Sequence, residues 1–210
     1  MFCWGCGTLR ERAWITGQGR STIRGRSRFD GRLGPPLGYR DRLCPDCLAG
    51  LWPAPVRSIG GLTVWSTFLH RGAAKHLVHA LKFGGVDRVA SLMAASMVDR
   101  VPPASCLVPI PRSLSRQVRY GVDAAGTLAR ALGRLGGLPV MAALDAPLLA
   151  PSHTGRIAAR RPDPGFRLLG PLPEGSLLID DVVTTGSTLM AAARISGARQ
   201  AMTFTSALSK

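Results

Sequence analysis

Leu177-Leu178-Ile179-Asp180-Asp181-Val182-Val183-Thr184-Thr185-Gly186-Ser187-Thr188-Leu189 decides how the chain reads. An apolar run ends in two carboxylates, crosses a short Thr/Gly/Ser segment and enters an Ala-rich stretch that stops near Gly197. The pattern predicts a strand, a loop and a helix. In an open α/β sheet the carboxyl ends of parallel strands face a crevice, which puts Asp180 and Asp181 where ligands bind. The segment Thr184 to Thr188 then brings successive backbone N–H groups and side-chain hydroxyls to a helix N-terminus, a ready site for an anion. Carboxylates that accept from sugar hydroxyls, beside a phosphate cradle, describe a phosphorylated ribose. Strand termination with helix capping alone would explain one such residue, not the whole run.

The stretch resembles the phosphoribosyl-pyrophosphate (PRPP) signature of the type I phosphoribosyltransferases. That resemblance implies a 5′-phosphate held by Thr184, Thr185, Gly186, Ser187 and Thr188, with Val182 and Val183 leading into the loop and Asp180 and Asp181 on the ribose.

Working outward, 210 residues suffice for one substantial core and a small appendage. The net charge of +15, from 27 Lys and Arg against 12 acids, is carried almost wholly by arginine. Such a surface suits phosphate-bearing partners, or it reflects a composition bias with the charge simply solvated. No apolar run reaches the roughly 18 residues of a membrane span, and Met1-Phe2-Cys3-Trp4 opens no signal-peptide pattern. The expectation is a cytoplasmic protein without membrane insertion.

Four of the five cysteines form two C-x-x-C pairs, Cys3/Cys6 and Cys44/Cys47. Two such knuckles complete a tetrahedral Cys₄ zinc site. The gap between them is about twice the 15–20 residues of an ordinary ribbon. A basic, Gly-rich segment from Gly17 to Tyr39 fills it and reads as an insertion. Redox-active or ordinary free thiols are the competing readings. We therefore divide the chain into a zinc-ribbon-like module, 1–56, and an α/β domain, 57–210.

In the second part, Gly61 to Leu69 has strand character. Ala73, Leu77, Ala80 and Leu81 recur at helical spacing up to Lys82-Phe83-Gly84-Gly85, and a second amphipathic helix spans Val86 to Val98. His70, His76 and His79 are read as ordinary helix or loop residues. Ser105 to Val108 forms a short buried strand, after which Pro109, Ile110, Pro111 and Arg112 make a rigid turn suited to a second anion. A helix follows from about Val122 to Leu135, and a final strand from about Ala201 to Leu208. The Arg- and Gly-rich segment Pro151 to Phe166 reads as a closing loop, with Arg156, Arg160 and Arg161 neutralising a departing pyrophosphate.

Taken together, the two C-x-x-C pairs, Leu81-Lys82-Phe83-Gly84-Gly85, Val108-Pro109-Ile110-Pro111 and the Asp180–Thr188 loop resemble, in this order, the ComF family of competence-associated phosphoribosyltransferase-like proteins. The resemblance implies a type I phosphoribosyltransferase fold behind a zinc ribbon. It also places Lys82 in the site and makes Val108 to Pro111 a pyrophosphate loop. The expected chemistry is transfer of a phosphoribosyl group from PRPP, with Mg²⁺, to a nitrogenous base. Arg119-Tyr120-Gly121-Val122-Asp123 and Ser152 to Arg161 differ from the family pattern. With Arg20, Arg24, Arg26, Arg28 and Arg32 they motivate the alternative, a non-catalytic accessory in DNA uptake that binds single-stranded DNA or a helicase partner.

Overall fold

The computed structural model of the chain describes residues 2–8, 42–83, 86–112, 123–146 and 165–207. A five-stranded, mostly parallel sheet forms its centre, with strand order β1-β2-β7-β6-β3. Here β1 is Arg57–Ile59, β2 Leu62–Leu69, β3 Leu107–Pro109, β6 Leu177–Val183 and β7 Gln200–Ser206. Only β1 runs antiparallel, joined to β2 through Gly60-Gly61. The other four strands are parallel, so their carboxyl ends share one edge of the sheet.

The helices follow from their apolar stripes. Helices α2 (Gly72–Phe83), α3 (Val86–Met97) and α4 (Ala124–Gly136) cover one face of the sheet. Their buried residues include Leu77, Leu81, Met93, Leu128 and Leu132. Helix α5 (Ser187–Ser196) covers the other face, packing Leu189 and Ala192 on Val64, Val108, Leu178 and Ala201. Asp123 caps α4 by accepting from the Gly126 N–H at 3.0 Å, and Gly137 closes it in the left-handed conformation. Gly197 ends α5 in the same way.

Along β6, Leu177 and Ile179 belong to the first core and Leu178 to the second, the two-residue alternation of a strand. A short antiparallel pair, β4 (Leu144–Asp145) with β5 (Arg167–Leu168), adds Leu144 to the α5 side. The four-cysteine segment packs into the main core: Cys3, Leu43 and Cys44 are buried in one cluster with Phe68, Leu77 and Leu81. One-turn helix α1 (Pro45–Ala49) holds the second knuckle. No helix among the described residues is long and apolar enough to cross a membrane.

Candidate functional site

At the carboxyl ends of the parallel strands the two acids part company. Asp180 lines a cleft with Val182, Val183, Thr184, Thr185, Gly186, Ser187, Thr188 and Leu189. Asp181, one residue on, turns to the opposite face and is almost wholly buried. Its Oδ2 receives Lys82 Nζ, from the end of α2, at 3.1 Å and a guanidinium N–H of Arg112, just after β3, at 2.8 Å. Two cations on one carboxylate offset its desolvation, which a single exposed partner would not. Residues distant in sequence thus meet at one point.

Asp180 behaves differently. Burial first, and the neighbouring Asp181 charge second, push its carboxyl well above the usual carboxylate range. Its Oδ1 accepts the Asp181 N–H at 2.8 Å, and this bond and Arg112 pull the other way. A carboxyl held this way at the floor of a cleft suits hydrogen bonding to a hydroxyl-rich ligand.

The loop owes its shape to Gly186. It takes φ +79°, the left-handed region, and serves as the N-cap of α5. A Cβ there would also lie 2.8 Å from Ile59 Cδ1. The Ser187 N–H turns back to Thr185 Oγ1 at 3.4 Å, and the two hydroxyls lie 3.1 Å apart. The first turn of α5 aims its amides and dipole into the cleft, so this end attracts an anion.

The proline turn contributes less backbone than its sequence suggests. Pro109 and Pro111 have no N–H, and the Ile110 N–H donates to the Ile179 carbonyl at 2.9 Å. Ile110 is buried, so this segment stiffens the sheet edge while Arg112 carries its charge to the crevice. Arg156, Arg160 and Arg161 lie outside the described residues, as do Arg116, Arg119 and the arginines from Arg20 to Arg32.

A second constellation lies beside α2. The Sγ atoms of Cys3, Cys6, Cys44 and Cys47 all fall within 4.8 Å of one another, and all four thiols are free. Tetrahedral thiolates at about 2.3 Å from a zinc ion would be about 3.8 Å apart. Cys6 and Cys44 are at 3.9 Å. The cluster can hold a metal ion. Hydrogen bonds from the Thr8 side chain, 2.7 Å away, and from its backbone lower the Cys6 thiol to about 6, while burial pushes Cys47 up. A resident thiolate gives a cation its first ligand.

The fit to α2 is close. A Cβ on Gly5 would lie 2.8 Å from Cys47 Sγ and 3.1 Å from Ala73 Cβ, and His76 Nδ1 meets the Gly5 carbonyl at 2.7 Å.

No protein-family model and no curated protein matches the chain.

His70 is the residue that sequence reasoning set aside and the structure brings in. It stands at the carboxyl end of β2, its N–H bonded to the Ser206 carbonyl at 2.7 Å and its Nδ1 to Thr205 Oγ1 at 2.8 Å. Asp181 and Lys82 are within electrostatic reach of it. Its position immediately after a strand was the one signal available in the sequence.

Proposed function

We propose that the crevice binds PRPP and that the protein transfers its phosphoribosyl group to a nitrogenous base with release of pyrophosphate, on a type I phosphoribosyltransferase-like fold of the ComF kind. The observation carrying this reading is the continuous run from Asp180 to Thr188. It sets a carboxyl and a glycine-shaped anion cradle in one cleft, at the carboxyl edge of a parallel sheet.

In this reading the 5′-phosphate sits at the start of α5 against Thr184 to Thr188, and Asp180 accepts from a ribose hydroxyl. Lys82 and Arg112 face the pyrophosphate from the Asp181 side, and Asp181 holds both cations in position until the ligand arrives. Mg²⁺ bound with PRPP would supply charge neutralisation for the leaving pyrophosphate, and the oxygen donors around Asp180 would suit such a hard cation. As the C1′–O bond lengthens, positive charge grows on the ribose ring, and Asp180, the carboxyl that lines the cleft, would stabilise it in its ionised form. Arg160, with Arg156 and Arg161, would close over the pyrophosphate. Zn²⁺ in the four-cysteine cluster would be architectural.

Calorimetric titration with PRPP and Mg²⁺ tests the reading. Wild-type protein should bind PRPP, ribose 5-phosphate and pyrophosphate. The Asp180→Asn/Asp181→Asn double variant should lose ribose 5-phosphate and keep pyrophosphate, because Lys82 and Arg112 are then freed. Folded wild-type protein that binds none of the three would contradict it.

A further inference from the structure

We propose that His76 is a positioning residue of the four-cysteine site: from α2 it holds the Cys3-x-x-Cys6 knuckle in the shape that turns four thiolates towards one ion. The site is then shared between the N-terminal segment and α2. The inference rests on the reading of the cluster as a metal site.

The geometry fixes the direction of the bond. Gly5, between the two cysteines of the knuckle, is buried, and its carbonyl oxygen lies 2.7 Å from His76 Nδ1. A carbonyl can only accept. Nδ1 therefore carries a proton and donates it, whether or not Nε2 is protonated as well.

Other backbone groups of the knuckle are bonded within the N-terminal segment. The Cys3 N–H donates to the Thr8 carbonyl at 3.0 Å, the Trp4 N–H to the Arg42 carbonyl at 3.2 Å and the Gly7 N–H to the Cys3 carbonyl at 2.8 Å. The Cys44 N–H donates to Cys3 Sγ at 3.2 Å, joining one knuckle to the other. The Gly5 carbonyl is instead satisfied from α2.

Without that donor a buried carbonyl would be left unpaired, a loss relieved by turning the Gly5–Cys6 peptide. That peptide leads straight into Cys6, whose Sγ stands 3.9 Å from Cys44 Sγ. Gly5 is wedged where it lies, since a Cβ there would come 2.8 Å from Cys47 Sγ and 3.1 Å from Ala73 Cβ. Ala73 and His76 are three residues apart on one face of α2 and contact the same glycine. Leu77, the next residue of that helix, shares a core with Cys3 and Cys44. Groups that orient the ligands of a metal without touching it commonly change its affinity by about 10- to 100-fold.

The test compares zinc-loaded wild-type protein with His76→Asn and His76→Ala. Asn places an amide N–H two bonds from Cβ, where His carries Nδ1–H, so it restores the donor; Ala removes it. Helix propensity runs the other way, because Ala favours a helix more than Asn does. A role confined to helix stability therefore predicts that Asn does the greater damage. The readout is the rate at which zinc passes to an excess of a chromophoric chelator under native conditions, with zinc content measured beforehand. His76→Ala should release zinc about 10-fold faster than wild type or more, or emerge from purification already depleted, while His76→Asn stays loaded and within about threefold of wild type. Equal release from the two variants, fast or slow, would overturn the assignment, as would faster release from His76→Asn. Folded wild-type protein that takes up no zinc would instead refute the underlying metal reading.

Discussion

The four-cysteine cluster and the Asp180–Thr188 loop are built in opposite ways. The cluster joins Cys3 to Cys44 across a long stretch of chain and buries both in the main core, where Ala73 and His76 of α2 receive the knuckle. The loop is contiguous in sequence, and Thr184 and Thr185 are exposed. At the far end of α2, Lys82 reaches Asp181. The difference teaches where damage should register: in the cluster as lost stability, in the loop as lost binding.

The largest effect is expected at the cluster. A structural zinc is worth on the order of 10 kcal/mol in small metal-dependent folds. Cys44→Ser, or stripping by a strong chelator, should lower the thermal midpoint by more than 10 °C and release one equivalent of zinc. A folded, unshifted apoprotein would break the comparison, because the cluster would then be dispensable to the core.

Next comes the ion triad. Removing both cations in a Lys82→Ala/Arg112→Ala variant strands a nearly buried Asp181, at a cost of about 3 kcal/mol. Denaturant unfolding would show it, and pyrophosphate binding should vanish as well. This is the place where stability and binding are expected to fall together.

Two glycines sharpen the contrast at smaller scale. Gly186→Ala forces a Cβ into the left-handed region and should cost about 1–2 kcal/mol while weakening ribose 5-phosphate. Gly5→Ala pushes against Cys47 and Ala73, so it should weaken metal retention and leave ribose 5-phosphate binding within twofold. Metal release kinetics and calorimetry separate the two.

The smallest effect has the opposite sign. Because the Asp180 carboxyl is raised in the folded protein, the native state binds more protons than the unfolded chain above the ordinary value of 3.8. Stability is therefore lost as pH rises from about 3.8 through the folded value. Asp180→Asn, which keeps the acceptor for the Asp181 N–H, should raise the midpoint at pH 7 by a few degrees. The gain should shrink to nothing as the pH drops below 3.8. Ribose 5-phosphate binding should fall at the same time.

Much of this was legible in the sequence because its signals are local. Apolar periodicity located α2, α3 and α4 to within a residue or two, and Gly197 marked the end of α5. The C-x-x-C pairs named all four residues of the cysteine cluster that can hold a metal ion. What stayed hidden depends on contacts across the sheet. Strand alternation puts Asp180 and Asp181 on opposite faces, yet the convergence of Asp181 with Lys82 and Arg112 needs α2 and β3 to be placed first. The Ile110 N–H is spent on Ile179 only once β3 pairs with β6. His70 reads as ordinary until Thr205, 135 residues on, is brought beside it by the β2–β7 pairing. Helix and turn signals cannot report such meetings.

The central claim is that the loop and the acid beside it form a ribose-phosphate site. The most direct test is a titration of isotopically labelled protein with ribose 5-phosphate, followed through its backbone amide resonances. The account predicts saturable shifts for Thr184 to Leu189 and for Asp180 and Asp181, with Cys3, Cys6, Cys44 and Cys47 unmoved. No shift in the loop at millimolar ligand, or shifts confined to residues elsewhere, would contradict it.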